Sequence, residues 1–340
     1  MCNGSIMDKL ISFSLPLMVS GILQLAFNAV DIIVVGRFSG SQALAAVGST
    51  TALINVFTNL FIGISLGANV LAARFYAAGK DREMSETVHT SITLALISGI
   101  MMAVIGVLLA KWALEIMGTP DDVIGQSALY MRIYFMGMPF FMLYNYGAAI
   151  LRAIGDTKRP LIFLIISGIA NAALNMILVI LFHMGVAGVS IATIFSQGVS
   201  AVLITRALMH SDDLYQLEFR KIRFHKAALI SLIWVGCPTG IQSVLYSVTN
   251  MLIQTFLNNL GTDTVAAWSA FGKIDSLYWM VNNAFGIAVT TFVGQNFGAG
   301  KYDRMKKSVR IGLCMGLCTA LTLTLIFYNF GTPLFRLFTS

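Results

Sequence analysis

Residues 11–36 read ISFSLPLMVSGILQLAFNAVDIIVVG. As a helix rising about 1.5 Å per residue, this stretch crosses a bilayer core of about 30 Å with some tilt. It is apolar apart from one stripe. Ser20, Gln24, Asn28 and Asp31 follow at intervals of four, four and three, which puts them on one helix face. A carboxylate inside a membrane helix costs roughly 2.5–3.5 kcal/mol on insertion scales. Asp31 is therefore expected to look into a wet protein interior, where it takes up or releases a cation. The competing structural reading leaves it close enough to the helix end to be solvated.

The rest of the 340-residue chain extends that pattern. Hydrophobic residues make up 57% and charged residues only 11%, against about 25% charged in soluble domains. With a mean hydropathy of +0.81 and repeated apolar runs, the composition implies an all-α polytopic membrane protein, not a barrel of short alternating strands. Nine apolar spans are read, at about 11–36, 50–76, 88–112, 127–150, 160–182, 186–208, 227–258, 264–296 and 308–330. Four cysteines, Cys2, Cys237, Cys314 and Cys318, form no disulfide or metal pattern.

Charge sorts by side. Lys9, Lys80, Arg82, Arg152, Lys158, Arg159, Arg206, Arg220, Lys221, Lys301 and Arg304 fall on alternate connections, and few basic residues lie on the others. The positive-inside rule then predicts a cytoplasmic amino terminus in a cell or inner membrane. The net charge of +7 is explained by topology and anionic lipid, and a nucleic-acid partner is not expected.

The chain also repeats itself. Pro16 and Asn28 recur as Pro238 and Asn250; after a one-residue slip, Gly40, Ala45, Ala46, Ala78, Gly79, Lys80, Met84 and Val88 recur as Gly261, Ala266, Ala267, Ala299, Gly300, Lys301, Met305 and Val309. Six spans in the first unit bring the second into the membrane in the same direction, which predicts two parallel-related lobes. The expected division is a six-helix lobe at 1–208, a basic linker at 209–226 and a partial lobe at 227–340 holding helices 7–9. Ser340 aligns with Thr119, so the second lobe is expected to stop three helices short of the first.

Several segments resemble the multidrug and toxic compound extrusion (MATE) family of cation-coupled efflux transporters. They are LPLMVSGILQLAFNAVDIIVVGRFSGSQALAAVG, LRAIGDTKRP, IANAALNMILV, GVAGVSIATIFSQ and FVGQNFGAGKYDR. The resemblance implies two lobes around a central cavity and export of small organic cations in exchange for H⁺ or Na⁺, with no bound cofactor. It also implies that Asp31 is the first-helix acid of a polar cluster, with Na⁺ one possible occupant. The fifth-helix pair, commonly Asn and Asp, falls on Asn171 and Asn175, so one acid of that cluster is replaced here.

The residues themselves allow Asn171 and Asn175, one turn apart, to converge with Gln24, Asn28 and Asp31; interhelical hydrogen bonding alone would explain the same asparagines. Lys273 and Asp275 lie inside the eighth span, either as cavity-lining charges or because that span starts later. Tyr144, Asn145, Tyr246, Asn250 and Tyr278 are the expected substrate-facing residues, since aromatic surfaces suit organic cations. Pro16, Pro139 and Pro238, with glycines nearby, predict kinks. Paired aspartates, HExxH and Ser/His sets are missing from the sequence, so an enzyme is not expected. No filter repeat or charge ring suggests a channel. A lipid-linked oligosaccharide flippase is the alternative, weakened because only Lys273 among the cations lies within a span. Beyond membrane lipids and exported cations, no obligate protein partner is inferred.

Overall fold

The computed structural model describes residues 1–258 and 262–336; side chains at 52, 251, 258, 262, 263, 265–267, 269, 270, 273, 274 and 330–336 fall outside that description. Among the described residues every regular element is helical. They are α1 (Ile6–Phe38), α2 (Gly40–Ala77), α3 (Asp81–Ile116), α4 (Asp121–Met136), α5 (Met138–Ala153), α6 (Lys158–Met176), α7 (Gly185–Met209), α8 (Lys226–Asn258), α9 (Thr262–Gly298) and α10 (Tyr302–Arg336). A π-helical turn, Ile177–Leu181, prolongs α6, and a 3₁₀ turn, Phe219–Lys221, interrupts the connection before α8.

Seven of these helices are long and apolar enough to cross a membrane: α1, α2, α3, α6 with its π turn, α7, α8 and α10. Two expected spans differ from that simple form. The span expected at 127–150 is two helices of 16 residues, broken at Gly137. Pro139 is the second residue of the second piece, where first-turn N–H groups have no partner within the helix and its missing N–H costs nothing. The span expected at 264–296 is the 37-residue α9, which carries Lys273 and Asp275 and is not among the seven. Both residues sit well after the helix start at Thr262, so this helix does not begin later than expected. Pro16 and Pro238 lie within unbroken α1 and α8. Near the first, the Ser20 hydroxyl donates to the Pro16 carbonyl at 2.8 Å.

Burial follows from the pattern of small and large side chains. On α10, Leu313, Leu317, Leu321 and Leu325 recur every four residues and are all more than 60% exposed. α2 is the opposite case: it packs against α3, α4 and α5 and also against α8 and α9. Glycines permit the approach. An added Cβ at Gly67 would meet the Leu232 carbonyl and the Gly236 backbone, and one at Gly63 would meet Gly240. Such close crossings of small residues replace the hydrophobic drive that lipid cannot supply.

The repeat is visible bond by bond. At the α2–α3 turn Ala78, Gly79, Lys80 and Met84 N–H donate to Arg74, Tyr76, Phe75 and Lys80; at the α9–α10 turn Ala299, Gly300, Lys301 and Met305 donate to Gln295, Phe297, Asn296 and Lys301. Gly79 and Gly300 share left-handed φ values of 63° and 69°, which explains why glycine stands at both. Of the expected repeat pairs, Gly261 and the side chains of Ala266 and Ala267 lie outside the described residues. Residues 209–226 pack as a strap over the start of α3. The Glu218 N–H donates to His89 Nε2 at 3.1 Å, and the His225 N–H donates to the Thr90 hydroxyl at 3.1 Å.

Candidate ion and substrate site

Gly168 of α6 lies against the ring of Phe27 of α1, in space that a Cβ would fill. That close approach carries the next two turns of α6 alongside the end of the α1 stripe. Asn175, fully buried, donates from Nδ2 to Oδ1 of half-buried Asp31 at 2.5 Å. The other side-chain atom of Asn175, Oδ1, is buried with no hydrogen-bond partner. Asn171 lies one turn earlier on the same helix and is 6% exposed. The π turn begins two residues after Asn175; such turns widen a helix locally and often mark functional positions.

Two further helices carry polar groups in this half of the molecule. Tyr130 and Tyr134 of α4 stack with centroids 6.0 Å apart. Gln197 of α7 lies beside the α4–α5 break, its Oε1 in the space a Cβ at Gly137 would take and buried with no hydrogen-bond partner. A carboxyl is thus paired with a buried amide across the α1–α6 seam, with the stacked phenols of α4 on the neighbouring helix. Such a set can hold a proton or share a small cation.

The remaining expected residues divide. Gln24 and Asn28 share the Asp31 face but are exposed, and no hydrogen bond among the described residues joins them to Asp31, Asn171 or Asn175. Tyr144 is tied to the start of α6, its hydroxyl donating to the Pro160 carbonyl at 3.1 Å. Asn145 donates to Phe141 of its own helix at 2.8 Å. In the second half, Tyr246 of α8 packs on Trp279 of α9 with centroids 5.0 Å apart, and Tyr278 meets the same indole at 6.3 Å. Asn250 is exposed and Asp275 half-buried. The side chain of Lys273 lies outside the described residues. Three His, Cys, Asp or Glu side chains nowhere converge on a metal geometry among the described residues.

Sequence reasoning did not name Tyr130, Tyr134, Gln197 or Trp279. Gln197 offered a signal, as an amide in an apolar span. The aromatic residues offered none, since rings in such spans ordinarily pack against lipid or core.

Comparison with known proteins agrees with this architecture. A family model described as MatE matches residues 16–177 and 238–340. A probable multidrug resistance protein, YoeA of Bacillus subtilis (strain 168), is 32% identical over 335 residues, covering 96% of this chain and 72% of that protein. A second from the same organism, YpnP, is 27% identical over 99% of this chain and 76% of its own length. A solved structure described as MATE in the bent conformation superposes with a TM-score of 0.92 at 21% identity, covering 99% of this chain and 75% of that one. It shares the two-lobe helical fold.

Proposed function

The chain belongs to the MatE family of multidrug efflux transporters, multi-pass membrane proteins and not enzymes, and from that premise we propose that it is a secondary antiporter. It exports small organic cations in exchange for H⁺ or Na⁺ across the cell membrane, and its amino terminus is cytoplasmic. Asp31 is the coupling group. The observation that carries this reading is the Asp31–Asn175 hydrogen bond, which holds a membrane carboxyl at the seam of α1 and α6.

A bound cation and a drug cannot both be favoured by one lobe arrangement if exchange is to be tight. Occupying Asp31 with a proton or Na⁺ removes its net charge, and that change biases a two-state equilibrium between arrangements open to either side. Aromatic surface at Tyr246, Tyr278 and Trp279 offers organic cations a face on the second lobe. A flippase handling pyrophosphate would need cations around the cavity, and the Asp31 surroundings supply amide and phenol groups instead.

The test is dye efflux from proteoliposomes under separately imposed proton and sodium gradients. Asp31→Asn is expected to insert normally and to lose gradient-driven efflux. Efflux equal to that of the unaltered chain would remove Asp31 from the coupling role.

A further inference from the structure

We infer that Asn69, Thr291 and Gln295 form a polar clasp that holds the two lobes shut at the strap end of the molecule and opens once in each transport cycle; this rests on the alternating-access reading above. The clasp has two rungs between α9 and α5. In the first, the Thr291 hydroxyl donates to Asn69 Oδ1 at 3.0 Å, and Asn69 Nδ2 passes the link on to the Ala149 carbonyl at 3.1 Å. In the second, Gln295 Nε2 donates to the Ala153 carbonyl at 2.6 Å. Thr291 and Gln295 are one turn apart on α9, as Ala149 and Ala153 are on α5, so the rungs are parallel. All three side chains are at least 98% buried.

The carbonyls explain why the joint is polar. The last carbonyls of a helix have no partner within it. Three of those closing α5, at Ile150, Leu151 and Arg152, accept from Ile154, Asp156 and Gly155 in the following turn. Ala153 accepts instead from Gln295, in the other lobe. An apolar seal here would have to expose apolar surface on opening. Amides and carbonyls exchange one another for water at small net cost. A joint of that kind is strong enough to bias a state and weak enough to leave it.

The surroundings are asymmetric in the same sense. Around the clasp Ala72, Ala73, Ala148, Ala288 and Phe292 are fully buried. Toward the other end Gln24, Asn28, Tyr246 and Asn250 are exposed. The amino terminus lies across the clasp: Cys2 Sγ donates to the Gln295 carbonyl at 3.7 Å, and Lys301 Nζ donates to the Cys2 carbonyl at 2.9 Å. Cys2 therefore reports on this joint from the native sequence.

In a background carrying Cys237→Ala, Cys314→Ala and Cys318→Ala, a water-soluble maleimide reads the exposure of Cys2 without any ion gradient. Thr291→Val combined with Gln295→Met keeps side-chain volume and removes both rungs. Alkylation of Cys2 is expected to be about tenfold faster, the ratio that about 1.4 kcal/mol of lost closure would give. Thr291→Ser, which keeps the hydroxyl, is expected to match the background protein. No acceleration in a monodisperse double variant would overturn the clasp. A second arm does not depend on that variant folding. In a chain with all four native cysteines replaced by Ala, Ala73→Cys with Gly294→Cys places two thiols across α2 and α9, where a Cβ at 294 lies 3.1 Å from the Ala73 side chain. Oxidation is expected to stop dye efflux and a reductant to restore it; full efflux from the oxidised pair also overturns the proposal. Cys2 alkylation is indifferent to the coupling ion, so loss of the Asp31 role would leave this result standing.

Discussion

Asp31 is legible because it breaks a rule that every neighbour keeps. One carboxyl in an apolar helix asks for a partner, and two asparagines a turn apart on another span are the natural supply. The structure joins Asp31 to the second of them, Asn175. The helical stripe also nominated Gln24 and Asn28, yet both are exposed. Periodicity tells which residues share a face; it does not tell what stands opposite. Tyr130 and Tyr134 show the converse, since a hydroxyl at the tip of a ring leaves no mark in a hydropathy pattern. The pairing itself can be tested apart from the carboxyl. A hydrogen bond to a charged group contributes about 1.5–3 kcal/mol, so Asn175→Ala is expected to lower gradient-driven efflux at least about tenfold. Asp31→Asn with Asn175→Ala is expected to be no worse than Asp31→Asn alone, because the two side chains act as one unit. Additive losses in the efflux assay would show that Asn175 acts elsewhere.

At the scale of elements, span length and order were readable from apolar runs, and the irregularities were not. Two 16-residue helices stand where one span was expected, because Gly137 and Pro139 together end α4 and restart the chain as α5. The depth of the α2–α8 crossing was hidden too. It depends on glycines far apart in sequence meeting backbone to backbone, and one sequence pairs none of them. Position along α2 should therefore decide the sign of a Gly→Ala change. At Gly67 the added methyl meets the Leu232 carbonyl and the Gly236 backbone, which cannot rotate away. Overpacking of that kind typically costs about 1–3 kcal/mol, and the apparent thermal midpoint in detergent is expected to fall by several degrees. Gly48 lies in the same helix with nothing within 4 Å of the added carbon. Gly48→Ala is expected to be neutral or stabilising by up to about 1 kcal/mol, through helix propensity alone. Equal shifts at the two sites would mean that the crossing does not set the stability of this bundle.

For the whole molecule, the internal repeat was the most informative reading, and the equivalent hydrogen bonds of the α2–α3 and α9–α10 turns make it concrete. What the repeat could not say is which end of the molecule is shut, because both halves carry the same pattern along their length. Contacts decide that. The strap, the amino terminus and the α5–α6 and α9–α10 turns gather at one end, together with Arg152, Lys158, Arg159, Lys221, Lys301 and Arg304. Cytoplasmic loops carry the excess of Lys and Arg, so the closed end is expected to be cytoplasmic and the exposed Asn28–Asn250 end to face outward. Two single cysteines in a chain with the four native cysteines replaced by Ala test this directly. Asp212→Cys lies on an exposed part of the strap, and Asp122→Cys opens α4 at the far end of α3. An impermeant maleimide added to intact cells should label position 122 and should reach position 212 only after the membrane is permeabilised. The reverse pattern would invert the orientation, putting the clasp on the outer face and the Asn28–Asn250 end toward the cytoplasm. A drug entering from the cytoplasm would then meet the open cavity in this state.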